Sequence, residues 1–151
     1  MDEHDRKILE ILQVDDKISY KDLADRLGLA ASTVHSRVRK LVEDGTIKSF
    51  SAILDYHKVG YRTVALLGLT VDPLKMSKVA KKLASYNQIQ LVATSTGDHD
   101  VVVKLFAKDD KALWRFINEN VKTIDGIGQM DVSSFIDTYK MTHIVEFNDT
   151  I

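Results

Sequence analysis

Residues 5–13 place Ile8, Leu9, Ile11 and Leu12 among polar neighbours, one apolar stripe along a helix. Asp2 or Asp5 is positioned to cap it, since acids suit a helix N-terminus. A second helix is predicted to start at Ser19. Ser19 serves as N-cap, Asp22 occupies the capping-box position, and Ile18 can staple onto Leu23. This helix turns Leu23, Ala24 and Leu27 inward and stops at Gly28. After Leu29-Ala30-Ala31, Ser32-Thr33 opens a third helix that runs to about Asp44 and ends at Gly45. Its Val34, Val38, Leu41 and Val42, spaced i, i+4, i+7, i+8, share one face. Two short helices around a glycine-containing turn, behind a supporting helix, make a helix-turn-helix.

Beyond Gly45 the period changes. Thr46–Leu54 alternates weakly and predicts a strand leaving the motif as a wing, and Asp55–Arg62, with Gly60, reads as a connection. Thr63–Val71 predicts a strand, and Asp72-Pro73 opens a helix with proline in its first turn and Met76, Val79, Ala80 and Leu83 on one stripe. Ile89–Thr96 and Val101–Ala107 read as a hairpin around Gly97-Asp98-His99-Asp100. Asp109-Asp110 starts a helix carrying Leu113, Ile117, Val121 and Ile124. A last strand spans roughly Gln129–Tyr139, with a further short one around His143–Phe147. The order β-α-β-β-α-β is the ferredoxin-like split βαβ. The fold class is therefore α+β, with a helix-turn-helix domain at 1–50, a strand and linker at 51–62, and a ferredoxin-like domain at 63–151. Two helices cover one face of such a sheet. Thr63–Val71 and Val101–Ala107 are nonetheless apolar at odd and even positions alike, which predicts that the second face packs on another protein surface, most simply a second copy.

Charge qualifies the picture. The chain has 151 residues and a net charge of -1, where DNA-binding domains are commonly basic. Residues 1–25 hold eight acids and four bases, but Arg26–Val42 holds four bases (Arg26, Arg37, Arg39, Lys40) and no acid. A positive face that small predicts modest non-specific affinity and a need for more than one copy per complex. Cysteine is absent, which removes disulfides and thiolate metal sites and fits a cytoplasmic protein. The acidic start is no secretion signal, and no apolar run approaches the ~20 residues of a membrane span.

Opposite the apolar stripe, the third helix carries Ser32, Thr33, Ser36, Arg39, Lys40 and Glu43, flanked by His35 and Arg37. Read as a DNA-facing surface, Ser32, Thr33, Ser36, Arg39 and Lys40 enter the major groove, with Arg37 and His35 reaching phosphates at its edges. Read plainly, it is a solvated helix face. The short preceding turn, the acid-free run and the hydroxyl residues favour DNA. In the Gly97–Asp100 turn, glycine and aspartate are standard hairpin residues that tolerate positive φ. The five histidines are scattered, none at i, i+3 or i, i+4 from another, so no metal site is expected. Neither a nucleophile–base pair nor a phosphate-cradling glycine loop is present, and no catalytic residues are assigned.

The string Asp5…Ile8-Leu9…Leu12…Ser19…Asp22-Leu23-Ala24…Leu27-Gly28-Leu29…Ser32-Thr33-Val34…Arg37-Val38…Leu41…Gly45…Ile47 resembles the DNA-binding domain of the Lrp/AsnC (feast/famine) transcriptional regulators. The likeness continues through Asp55, Gly60 and the Thr96-Gly97-Asp98-His99-Asp100 turn, covering almost the whole chain. It implies a winged helix-turn-helix followed by a RAM-type ferredoxin-like domain, acting on double-stranded DNA with a palindromic operator. It also implies self-assembly into dimers and higher states such as octamers, and an amino-acid effector, not a cofactor, bound between subunits. Turn N–H groups around Thr96, Gly97 and His99 would hold the effector carboxylate. Asp100, or next Asp98, would hold its ammonium, since an ionised carboxylate only accepts. Ser133 and Ser134 would complete the pocket from a neighbouring subunit. Where the family often has a Ser-Pro-like pair, this chain has Ala30-Ala31, so the cap of the third helix falls to Ser32 or is missing at a cost of ~1 kcal/mol. The expected function is sequence-specific transcriptional regulation. The alternatives are an architectural DNA-binding oligomer without effector and a small ferredoxin-like enzyme that processes an amino acid.

Overall fold

The computed structural model describes residues 1–147. The chain forms two compact units, one of Met1–Ile53 with residues 140–147, the other of Leu54–Tyr139.

The first unit is built on α1 (Glu3–Val14), α2 (Tyr20–Leu27) and α3 (Ala31–Glu43). A capping box starts α1. The Asp2 carboxylate accepts from the Asp5 N–H at 2.9 Å, and the Asp5 carboxylate accepts from the Asp2 N–H at 3.0 Å. Ser19 caps α2, its Oγ accepting from the Asp22 N–H at 3.0 Å and donating to the Asp22 carboxylate at 2.6 Å. Gly28, left-handed at φ 65°, ends α2 where a side chain would be strained. Ile8, Leu9, Leu12, Leu23, Ala24, Val34, Val38 and Leu41 form one buried cluster. Burying each large aliphatic among them contributes about 1.5–3 kcal/mol.

Four expectations for these residues are not met. Val42 is 45% exposed and lies outside the stripe that Val34, Val38 and Leu41 bury. Thr46–Leu54 forms no strand, and neither does His143–Phe147; among the described residues neither segment has a ladder partner. Residues 140–147, expected in the second domain, belong to the first unit. The Gln13 amide donates to the Val145 carbonyl at 3.0 Å and accepts from its N–H at 2.6 Å, and Phe147 packs on the helical cluster.

The second unit runs β1 (Thr63–Val71), α4 (Met76–Ala84), β2 (Ile89–Thr94), β3 (Val101–Ala107), α5 (Asp110–Phe116, continued by a π-helical turn Ile117–Val121) and β4 (Ile127–Ser134). The strands form one antiparallel sheet in the order β2-β3-β1-β4, which is the expected ferredoxin-like topology. The helix after β1 starts at Met76, because Asp72–Lys75 forms a turn closed from the Lys75 N–H to the Asp72 carbonyl. The last strand stops at Ser134, not Tyr139, and its final bond to β1 runs from the Phe135 N–H to the Val64 carbonyl.

Ala65, Leu67, Leu69 and Val71 of β1 and Val101, Val103, Leu105 and Ala107 of β3 bury themselves against Val79, Leu83, Leu113, Ile117 and Val121. The even positions face away from the helices. Part of that second face is covered from within the unit. The Tyr56 ring stacks on Phe106 with centroids 3.9 Å apart, Tyr61 meets the same ring edge-on, and Val64 and Phe106 are buried. The apolar content of β1 and β3 on both faces thus has a partial cause inside the chain, while Leu91 on the same face is 47% exposed.

Candidate nucleic-acid interface

Burial of Val34, Val38 and Leu41 rotates the opposite face of α3 outward, exposing Ser32, His35, Ser36, Arg39 and Lys40 and leaving Thr33 half-buried. The N-terminus of α3 is uncapped. Ala30 occupies the cap position with extended backbone and has no oxygen to offer, so the helix begins at Ala31 and Ser32 lies within its first turn. Ser32 is therefore not the cap, and its hydroxyl is not taken by the backbone in that role.

The cations of α3 differ in what they touch. Arg37 directs Nη1 at Asp2 (2.6 Å) and Asp5 (2.8 Å), the two residues of the α1 capping box. The Asp5 N–H, then Arg37, hold the Asp2 carboxyl down at about 2. Burial works against Asp5, but the Asp2 N–H and Arg37 outweigh it and its carboxyl is also lowered. The same two hydrogen bonds raise the Arg37 guanidinium. Arg39 reaches Glu43, one turn on, at 3.5 Å with both side chains 67% exposed, a contact of little consequence. Lys40 has no ion-pair partner among the described residues. His35 meets the Tyr20 ring edge-on at 5.3 Å, tying α3 to α2. Ser32, Thr33, Ser36, Arg37 and Lys40 line one open groove of about 710 Å³ with Met1, Asp2 and Asp5. The wheel of α3 placed Arg37 on a flank. The carboxylates that meet it sit over thirty residues earlier, beyond the reach of helical periodicity.

The residues expected to bind an effector are divided among different surroundings. Thr96, Gly97 and Asp98 are exposed in the loop that joins β2 to β3, closed by the Ser95 N–H on the Asp100 carbonyl at 2.9 Å. Gly97 does not have positive φ, and a Cβ there would meet only Ser95 Oγ at 3.7 Å, so the loop itself does not require glycine. Asp100 is part-buried and turned inward. Its N–H donates to the Leu69 carbonyl and its carboxylate accepts from the Val71 N–H at 2.8 Å, where the β1–β4 register slips. One carboxylate oxygen of the first choice for an ammonium partner is thus engaged by the backbone.

His99 lies over Gly68, whose neighbours in the sheet are Val102 and Asp131, with Nδ1 3.8 Å from an Asp131 carboxylate oxygen. Ser133 pairs with Leu66 and Ser134 with Ala65, so they point to opposite faces and only Ser133 shares the face of His99 and Asp131. Gly68 and Asp131 escaped the sequence reading; a glycine inside an apolar strand is the signal that marks a close approach.

Residues 1–48 match the model of a winged helix-turn-helix DNA-binding family, and residues 64–145 that of the Lrp/AsnC ligand binding domain. HTH-type transcriptional regulator FL11 of Pyrococcus horikoshii is 39% identical over 142 residues, 94% of this chain and 93% of its own length. Two solved structures share the fold. A transcriptional regulator from Neisseria meningitidis in complex with L-Met superposes at TM-score 0.90 and 21% identity, covering 98% of this chain and 97% of that one. AsnC from E. coli superposes at TM-score 0.88 and 24% identity, covering 95% and 97%. No helix among the described residues is long and apolar enough to cross a membrane.

Proposed function

From the premise that the chain belongs to the Lrp/AsnC family and is a DNA-binding transcriptional regulator of that type, we propose that α3 reads a palindromic operator through Ser32, Thr33, Ser36, Arg39 and Lys40. The observation that carries this reading is the exposed face of α3, where the hydroxyls of Ser32, Thr33 and Ser36 and a Lys40 without an ion-pair partner among the described residues line one groove. Hydroxyls donate to or accept from base edges, and arginine and lysine favour guanine O6 and N7. His35, engaged by Tyr20, and Arg37, engaged by Asp2 and Asp5, are secondary. Two copies present their α3 helices to half-sites about 34 Å apart. With one modest cationic face per chain, occupancy rests on pairing, and a dimer or a larger assembly such as an octamer supplies it. The place of work is the cytoplasm, and the output is regulation rather than turnover.

An amino acid is the proposed effector, supported by the ligand-binding family model and by a neighbour in fold solved with L-Met. Loop N–H groups at Thr96–His99 would hold its carboxylate, that of Gly97 by giving up its 3.2 Å bond to the Ser95 hydroxyl. Asp98, exposed, is the better ammonium partner than Asp100, which the β1 backbone engages. Ser133 adds a hydroxyl on the His99 side of the sheet, and Ser134 turns to the other.

Selection of bound duplexes from a random pool by the intact protein tests the DNA reading. A palindromic motif should emerge, and Ser36→Ala should relax the preference at a single position of each half-site. Recovery of sequences without common bases would contradict it.

A further inference from the structure

We propose that Asp2 and Asp5 mask Arg37 from nucleic acid, so that α3 offers DNA one cation fewer than its sequence contains and non-specific binding stays weak. The inference rests on the reading of α3 as the DNA-facing helix. Its basis is position. The two carboxylates that engage Arg37 Nη1, at 2.6 and 2.8 Å, line the same groove as Ser32, Thr33, Ser36 and Lys40. They lie on the reading surface, with one guanidinium between two carboxylates and a local sum of -1 before Lys40 is counted.

Sequence-independent affinity comes from cations that displace counterions from phosphate, each contributing about 0.9 to the slope of log K against log salt. An arginine already held by two carboxylates displaces none, and a phosphate approaching it meets like charge. Contacts to base edges from the hydroxyls and Lys40 are untouched. The masked arginine therefore lowers affinity for all sequences alike, keeping non-specific binding weak while leaving discrimination among sequences to the base contacts. The capping box fixes the mask in place, because the carboxylates that start α1 are the ones that face Arg37.

The test is the salt dependence of binding to a non-operator duplex by the full chain, followed by fluorescence anisotropy. Asparagine caps helices as well as aspartate, so Asp2→Asn with Asp5→Asn keeps the start of α1 while removing both charges. This variant should steepen the salt slope by about 1 for each α3 engaged and tighten non-specific binding roughly tenfold near 0.1 M salt. The gain should vanish when Arg37→Gln is added, and Arg37→Gln alone should leave the slope at its wild-type value. An unchanged slope in the double variant, a gain that survives Arg37→Gln, or a flatter slope in Arg37→Gln alone would each overturn the mask. Asp2→Asn alone, judged folded by its thermal midpoint, should give a smaller steepening and repeats the test should the double variant not fold; no steepening there overturns it as well. Lys40→Ala separates the two ideas. If it leaves the slope unchanged, the reading of α3 fails; if it flattens the slope while the Asp variants change nothing, only the mask fails.

Discussion

The His99 imidazole occupies the space over Gly68 that any Cβ at that position would need. Glycine in the middle of β1 is a seat for a ring delivered from the β2–β3 loop, beside Asp131 of β4. Gly68→Ala should therefore displace the ring and destabilise the second unit by about 1–3 kcal/mol, the range for overpacking. Adding His99→Ala should recover most of the loss, since residues in contact are non-additive. Urea unfolding of the two single variants and the double variant measures this; additive losses would show that the ring is not what Gly68 accommodates.

Asp100 closes the β1 irregularity through the Val71 N–H. Asp100→Ala leaves that donor without its partner and should cost about 1–3 kcal/mol, whereas Asp100→Asn keeps an acceptor and most of the stability. In a unit of this size, each kcal/mol lowers the thermal midpoint by roughly 4–8 °C. Equal losses in the two variants would mean the hydrogen bond is not the contribution. If an amino acid raises the wild-type midpoint, the rise should persist in Asp100→Asn and disappear in Asp98→Asn.

The start of α3 invites a stabilising change. Ala30 has the extended backbone of an N-cap without an acceptor, so Ala30→Ser should add about 1 kcal/mol, while Ser19→Ala at the start of α2 should remove a similar amount. Chemical denaturation of the two variants checks the pair of opposite signs.

The acidic limb of stability follows from Asp2 and Asp5. Their folded carboxyls lie below the ordinary value of 3.8, with Asp2 at about 2. A carboxylate lowered on folding stabilises the native state above its unfolded value, and that stability drains as pH falls toward the folded one. Unfolding free energy should thus decline between pH 4 and pH 2, more shallowly in Asp2→Asn with Asp5→Asn. Equal declines in wild type and variant would contradict the assignment.

Local order was the legible part. Ser19, Asp22 and Gly28 marked the ends of α2 because caps and left-handed glycines act within a few residues, and the near-continuous apolar runs of β1 and β3 marked the sheet. Thr46–Leu54 had a weak alternation, but a strand exists only through its partner, and the described residues supply none. Long-range pairs were not legible. Arg37 reads as a phosphate ligand until the fold brings Asp2 and Asp5 to it, and Asp100 reads as an effector ligand until the β1 register presents the Val71 N–H. At Ala30 the sequence left two outcomes open, a cap from Ser32 or none, and the helix begins at Ala31 without one.

The central claim is that α3 reads the operator, and the most direct measurement compares wild type with Arg39→Ala plus Lys40→Ala for operator affinity at fixed salt, with light scattering on the same samples. Both side chains are exposed and outside the buried cluster, so assembly and folding should be unchanged. Losing one base contact costs about 1–3 kcal/mol, so affinity should fall at least tenfold, with the oligomer intact. Operator affinity that survives the double change would show that another surface reads the DNA.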